Sequence, residues 1–90
     1  MKRVEIIANR SVEEDLMDAF AAAGVVERYT KIPVVHGVGS SGPRMGDAVW
    51  PEENFVLITY CEEGEAEKIA ELVAKVKLRF PDEGIKVFTI

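Results

Sequence analysis

Near the N-terminus, "RVEIIANR" (residues 3–10) alternates Val4, Ile6 and Ala8 with Glu5, Ile7 and Asn9 and is rich in β-branched residues, which predicts a strand. The spacing then changes. Leu16, Met17, Phe20 and Ala23 recur at helical intervals, so a helix follows. Ser11 is its expected N-cap, with Glu14 three residues later completing a capping box. Glu13, Glu14 and Asp15 put negative charge in the first turn, where the helix dipole favours it, and Gly24 is the natural stop. "VVERYTKIPVVHGVG" (25–39) predicts a second, long strand. Pro33 cannot donate to a ladder, so this strand belongs at an edge or is bulged there. "NFVLITYC" (54–61) is the clearest strand in the chain. In "EEGEAEKIAELVAKVKLRF" (62–80), Ala66, Ile69, Ala70, Val73, Val76 and Phe80 form one helical stripe. Pro81 ends it, Asp82, Glu83 and Gly84 make a turn, and "IKVFTI" (85–90) is the last strand.

The order is βαββαβ, the split-βαβ or ferredoxin-like α+β pattern, with two helices on one face of a four-stranded antiparallel sheet. The whole chain, 1–90, reads as one domain. Two short helices cover one sheet face, so the other should be polar. It is not. Phe55, Leu57, Thr59 and Cys61 point one way and Val56, Ile58 and Tyr60 the other, and both sets are largely apolar. A closed homo-oligomer that covers the open face is the economical solution, because a monomer would expose an aggregation-prone surface.

Composition sharpens this picture. Of 90 residues, 48% are hydrophobic, a generous share for a chain whose core is limited by its size. The formal net charge of −5 disfavours non-specific nucleic-acid binding, which needs basic surface. The single cysteine, Cys61, cannot form an internal disulfide, which suits a reducing compartment. No apolar run approaches the roughly 18 residues of a membrane span. A cytoplasmic protein is expected.

The feature that points to function is "GVGSSGPRMGDAVWPEEN" (37–54). Unstructured loops beyond about 12 residues are uncommon in small domains and are usually functional or disordered. Gly37 and Gly39 lead into it, Ser40 and Ser41 add hydroxyls, and Arg44 offers five donors suited to carboxylate or phosphate. Asp47 could pair with Arg44 or order the turn. Trp50, the only tryptophan, precedes Pro51, and so large a ring seeks a packing surface, either within the protein or on a partner. The plain alternative is a hairpin connection with Arg44 and Asp47 as a surface pair.

The segment "VVHGVGSSGPRMGD" is similar to the part of PII signalling proteins where a strand passes through a Gly-x-Gly pair into the long T-loop. The element order resembles that family over nearly the full chain. The resemblance implies a ferredoxin-like trimer that binds a small effector between subunits, commonly an adenine nucleotide and sometimes 2-oxoglutarate. It implies signalling through the loop, 40–53, to a regulated enzyme or a membrane transporter, and no enzyme activity. It puts Gly37 and Gly39 at the loop base beside the ligand. There are departures. PII proteins grip nucleotide phosphates with a Gly-, Arg- and Lys-rich loop before the last strand. Here that junction is "RFPDEGIK", with Arg79 and Lys86 but also Asp82 and Glu83, which repel phosphate. No glutamine exists to match the one PII uses for 2-oxoglutarate and magnesium.

Other chemistries are weaker. His36 and Cys61 are candidate soft metal ligands, and the CutA relatives of similar size make a copper- or zinc-binding trimer the alternative reading. No CxxC or histidine pair supports it, and both residues suit structural roles. A small enzyme using the loop comes third: Ser40, Ser41, His36 and Asp47 supply triad residue types, but nothing sets a triad geometry. Acylphosphatase-like phosphate binding after the first strand is rejected, because Arg10 is followed by "SVEED". Lys68, Lys75 and Arg79 read as a solvated helix face.

Overall fold

The computed structural model describes residues 1–39, 42–46 and 52–90. The elements run β1 (Lys2–Asn9), α1 (Glu13–Ala23), β2 (Thr30–Val35), β3 (Gly37–Gly39), β4 (Gly42–Arg44), β5 (Asn54–Cys61), α2 (Glu63–Arg79) and β6 (Ile85–Thr89). β1, β2, β5 and β6 form an antiparallel sheet in the order β2-β5-β1-β6, the ferredoxin-like arrangement. β3 and β4 pair only with each other.

Alternation in the strands produces the core. Val4, Ile6 and Ala8 of β1 and Phe55 and Leu57 of β5 are fully buried and meet Leu16 and Phe20 of α1 and Ile69, Val73 and Val76 of α2. Ala66 joins them, while Ala70 and Phe80 lie at the stripe's margin. β2 is an edge strand, and its register shifts between Ile32 and Val35, around Pro33, which has no N–H to give a ladder.

Three local expectations are corrected. First, Ser11 is not the cap. The chain leaves β1 through a 3₁₀ turn at Arg10–Val12, and the Asn9 side chain accepts from the Ser11 N–H at 2.9 Å. α1 then begins at Glu13 behind Val12, without a side-chain cap, so no capping box forms. The acidic first turn is as expected, and Gly24 closes the helix at φ 69°. Second, residues 25–29 are not strand. Val25 and Val26 drop into the core, and Val26 adopts φ 55°, strained for a β-branched residue. Side chains take up the backbone groups there: Glu65 Oε2 accepts from the Val26 N–H at 3.0 Å, and the Thr59 hydroxyl donates to the Arg28 carbonyl at 2.7 Å. Third, the long central segment is not structureless throughout. Glycines at both ends let β3 and β4 form a short hairpin, with Gly42 at φ 102°.

The capping correction gives a contrast. Asn9→Ala should destabilise the fold by about 1–2 kcal/mol, since it removes a cap and a cross-tie, whereas Ser11→Ala should stay within about 0.5 kcal/mol. Urea denaturation of both variants checks this; equal effects would overturn the assignment.

Candidate functional site

On β5, Asn54, Val56, Ile58 and Tyr60 face away from the helices, as do Ile7 on β1 and Lys86 and Phe88 on β6. The register brings Val56, Ile7 and Lys86 into one row across three strands. The β3–β4 hairpin stands beside this end of the open face. Together they enclose a cavity of about 440 Å³, within the range of small-ligand sites.

The cavity joins an apolar surface to a cationic one. Ile7, Val35, Val56 and Phe88 supply the first, and Arg44 and Lys86 the second, with the His36 imidazole beside them. No acidic residue is among the described residues that line it. Gly37 and Gly39 form part of the wall, and a Cβ added at either would meet no atom of the described residues within 4 Å. Asn54 Oδ1 is shielded from water and finds no hydrogen-bond partner among the described residues.

Two consecutive glutamates hold the site together from outside the cavity. Glu52 Oε2 accepts from Asn9 Nδ2 at 3.0 Å and lies 3.0 Å from Arg44 Nε. Glu53 accepts from Arg10 Nη1 at 3.1 Å and from His36 Nε2 at 2.8 Å. An ionised carboxylate only accepts, so Nε2 carries the proton in that contact. Backbone bonds run alongside: Arg10 N–H to the Glu53 carbonyl, Gly46 N–H to the Glu52 carbonyl and Asn9 N–H to the Gly84 carbonyl. Arg44 is buried, and its Nη1 also donates to the Gly42 and Pro43 carbonyls. Its guanidinium is thus held at the cavity wall. The hydrogen bond from His36, with Arg10 adding to it, holds the Glu53 carboxyl below the usual carboxylate range.

Of the residues singled out from sequence, Gly37, Gly39, Arg44 and His36 come together here. Ser40, Ser41, Asp47, Trp50 and Pro51 lie outside the described residues. Arg44 is paired with Glu52, a partner the sequence reading did not anticipate. His36 and Cys61 do not meet. His36 contacts Glu53 just before β5, whereas Cys61 ends that strand, about 25 Å away at roughly 3.3 Å per residue. Burial, with Glu65 and Glu62 nearby, pushes the Cys61 thiol up, away from the thiolate that a metal needs. No group of three or more metal-ligating side chains occurs among the described residues. Arg10 serves Glu53, and the Lys68–Glu71–Lys75 contacts are those of a solvated helix face. Sequence reasoning missed Asn54 and Phe88, although the alternation of "NFVLITYC" and "IKVFTI" places both on the open face. Nothing in "PEEN" signals that its two glutamates cross-tie the site.

The family model described as nitrogen regulatory protein P-II matches residues 1–90. The chain belongs to this family. Its fold is similar to CPII, a nitrogen regulatory PII-like protein from Thiomonas intermedia whose structure holds ADP, AMP and bicarbonate. That match has a TM-score of 0.72 and 25% identity and covers 99% of this chain and 82% of that one. A second structure of CPII with the same ligands gives 0.67 and 25%, over 98% and 86%. A candidate PII-like signalling protein from Thermus thermophilus gives 0.66 and 25%, over 99% and 83%. No curated protein matches the chain. P-II family proteins are signalling proteins, not enzymes. No helix among the described residues is long and apolar enough to cross a membrane.

Gly46 sits at φ 67° against the His36–Glu53 pair, where a Cβ would collide with Glu53 Oε2 and lie 2.7 Å from His36 Nε2. Gly46→Ala should therefore cost more than about 1 kcal/mol and shift the His36 imidazole resonances. Glu53→Gln tests the charge. A lowered carboxyl value stabilises the fold above the ordinary carboxylate range, and this contribution is lost as pH falls through the lowered value. The stability difference between wild type and variant should be present near neutral pH and shrink as pH falls through the lowered Glu53 value; a constant difference would contradict it.

Proposed function

We propose that this chain is a small-ligand sensor of the P-II family that binds an anionic effector, an adenine nucleotide or a carboxylate, in the cavity beside the β3–β4 hairpin. The observation that carries this reading is the cavity's charge. Arg44, Lys86 and His36 line it without a described carboxylate, in a chain whose net charge is −5. Arg44 takes the ligand's negative group, with a geometry suited to phosphate or carboxylate. Phe88, 48% exposed, offers a flat apolar surface to a base. Gly37 and Gly39 leave room for the ligand, and Ser40, Ser41 and Asp47 are proposed to complete its polar contacts. The ADP, AMP and bicarbonate bound by CPII are of the same chemical classes.

In this reading the chain works as one PII-like domain in a cytoplasmic homotrimer. Its apolar open face, which leaves Tyr60 61% and Ile32 43% exposed, is covered between subunits. The segment 40–53 is the T-loop equivalent. It presents Trp50 and Pro51 to a regulated enzyme or a membrane transporter, and no nucleic acid is involved.

Titration calorimetry with ADP, AMP and bicarbonate tests the site. Arg44→Ala should weaken binding by about 10- to 100-fold. Gly37→Val should fold with near wild-type stability, because its Cβ meets no neighbour, yet weaken binding by adding bulk to the wall. Unchanged affinity in both variants would refute the site. Light scattering that shows a monomer would refute the trimer.

A further inference from the structure

Arg44, the proposed anion-binding group, is not waiting for a ligand. The chain's own Glu52 carboxylate lies against its Nε at 3.0 Å. The two partners are unequally placed. The Arg44 side chain is 9% exposed and braced by the Gly42 and Pro43 carbonyls, whereas that of Glu52 is 55% exposed. Glu52 also has a second partner on the far side, Asn9 Nδ2, on the same Oε2 atom. Arg44 lines the cavity, and Glu52 does not. An anion entering the cavity therefore meets a guanidinium whose charge is already balanced from outside. It competes with a solvent-accessible carboxylate that keeps a hydrogen bond if it lets go.

We infer that Glu52 acts as an internal counter-anion on Arg44, and that an anionic ligand exchanges with it. This rests on the reading of the cavity as the ligand site and adds how occupancy leaves it. Glu52 is where the chain returns from its excursion, and its carbonyl accepts from the Gly46 N–H at 3.2 Å. Releasing its side chain from Arg44 loosens a tie at the base of the segment between Gly46 and Glu52. That segment contains Trp50, the only tryptophan. Ligand charge is thus converted into a change at the loop base without any movement of the sheet. The same exchange offsets the charge of Arg44 in the ligand-free site while Lys86 still faces the cavity.

The test compares wild type, Glu52→Gln and Glu71→Gln by titration calorimetry with ADP and with bicarbonate, and by tryptophan emission with and without ligand. Glu71→Gln removes the same charge on the solvated face of α2, where Glu71 meets Lys68 and Lys75, and leaves the cavity and Arg44 untouched. Exchange predicts that Glu52→Gln binds about two- to fivefold more tightly, the range open to an exposed ion pair. It also predicts that ligand-free Glu52→Gln shifts its emission toward that of ligand-saturated wild type, and that Glu71→Gln does neither. Weaker or unchanged binding in Glu52→Gln, with normal wild-type binding, overturns the exchange and leaves the cavity reading intact. An equal gain in Glu71→Gln overturns it in favour of a general charge effect. Wild type that binds neither probe overturns the cavity reading. The emission of ligand-free Glu52→Gln then decides the tie alone: altered emission supports it and unaltered emission removes it.

Discussion

The pairing of β1 with β5 is the constraint on which the other features hang. It runs from Lys2 opposite Cys61 to Asn9 opposite Asn54 without a slip. A shift by one residue would turn Val4, Ile6, Ala8, Phe55 and Leu57 out of the core together, so the register is set by burial rather than by any single bond. The helices pack where this row of side chains points. The opposite row, with Ile7 and Val56, becomes the floor of the cavity. Core and site are two faces of the same ladder.

The register also determines what arrives at its end. β1 finishes at Asn9 where β5 begins at Asn54, so Asn9 and Arg10 come beside Glu52 and Glu53. His36 and Arg44 join them from the two ends of the hairpin segment. Four donors from three stretches of chain therefore converge on two adjacent carboxylates. These carboxylates lie outside the cavity and anchor its wall, Glu52 offsetting the charge of Arg44 from behind.

Most of the fold was legible because alternation and helical spacing are local signals. "NFVLITYC" is strand to the residue, and the βαββαβ order with its one apolar-capped face follows from pattern alone. What was not legible depended on which side chains reach which backbone groups. Ser11 looked like the cap because the motif is local, yet the equally local Asn9, two residues earlier, accepts from the Ser11 N–H. Val25 and Val26 looked like strand because they are β-branched, yet Glu65, 39 residues on, took the Val26 N–H and held it in a turn. The site divides in the same way. Gly37, Gly39 and Arg44 were visible as residue types in a loop. Lys86 drew notice only through the resemblance, and Asn54 and Phe88 needed the sheet to bring them alongside.

The register shift at Pro33 bears on how such a chain stays dispersed. A sheet has two ways to recruit a copy of itself: through its faces or along its edges. β2 is one of the two edge strands, and it loses pairing regularity between Ile32 and Val35, around Pro33, a residue with no N–H to offer. An edge broken in this way is a poor template for a neighbouring strand. On the β2 side, self-association is thereby steered away from the open-ended, fibre-forming route and toward contact through the apolar open face, a geometry that can close on itself.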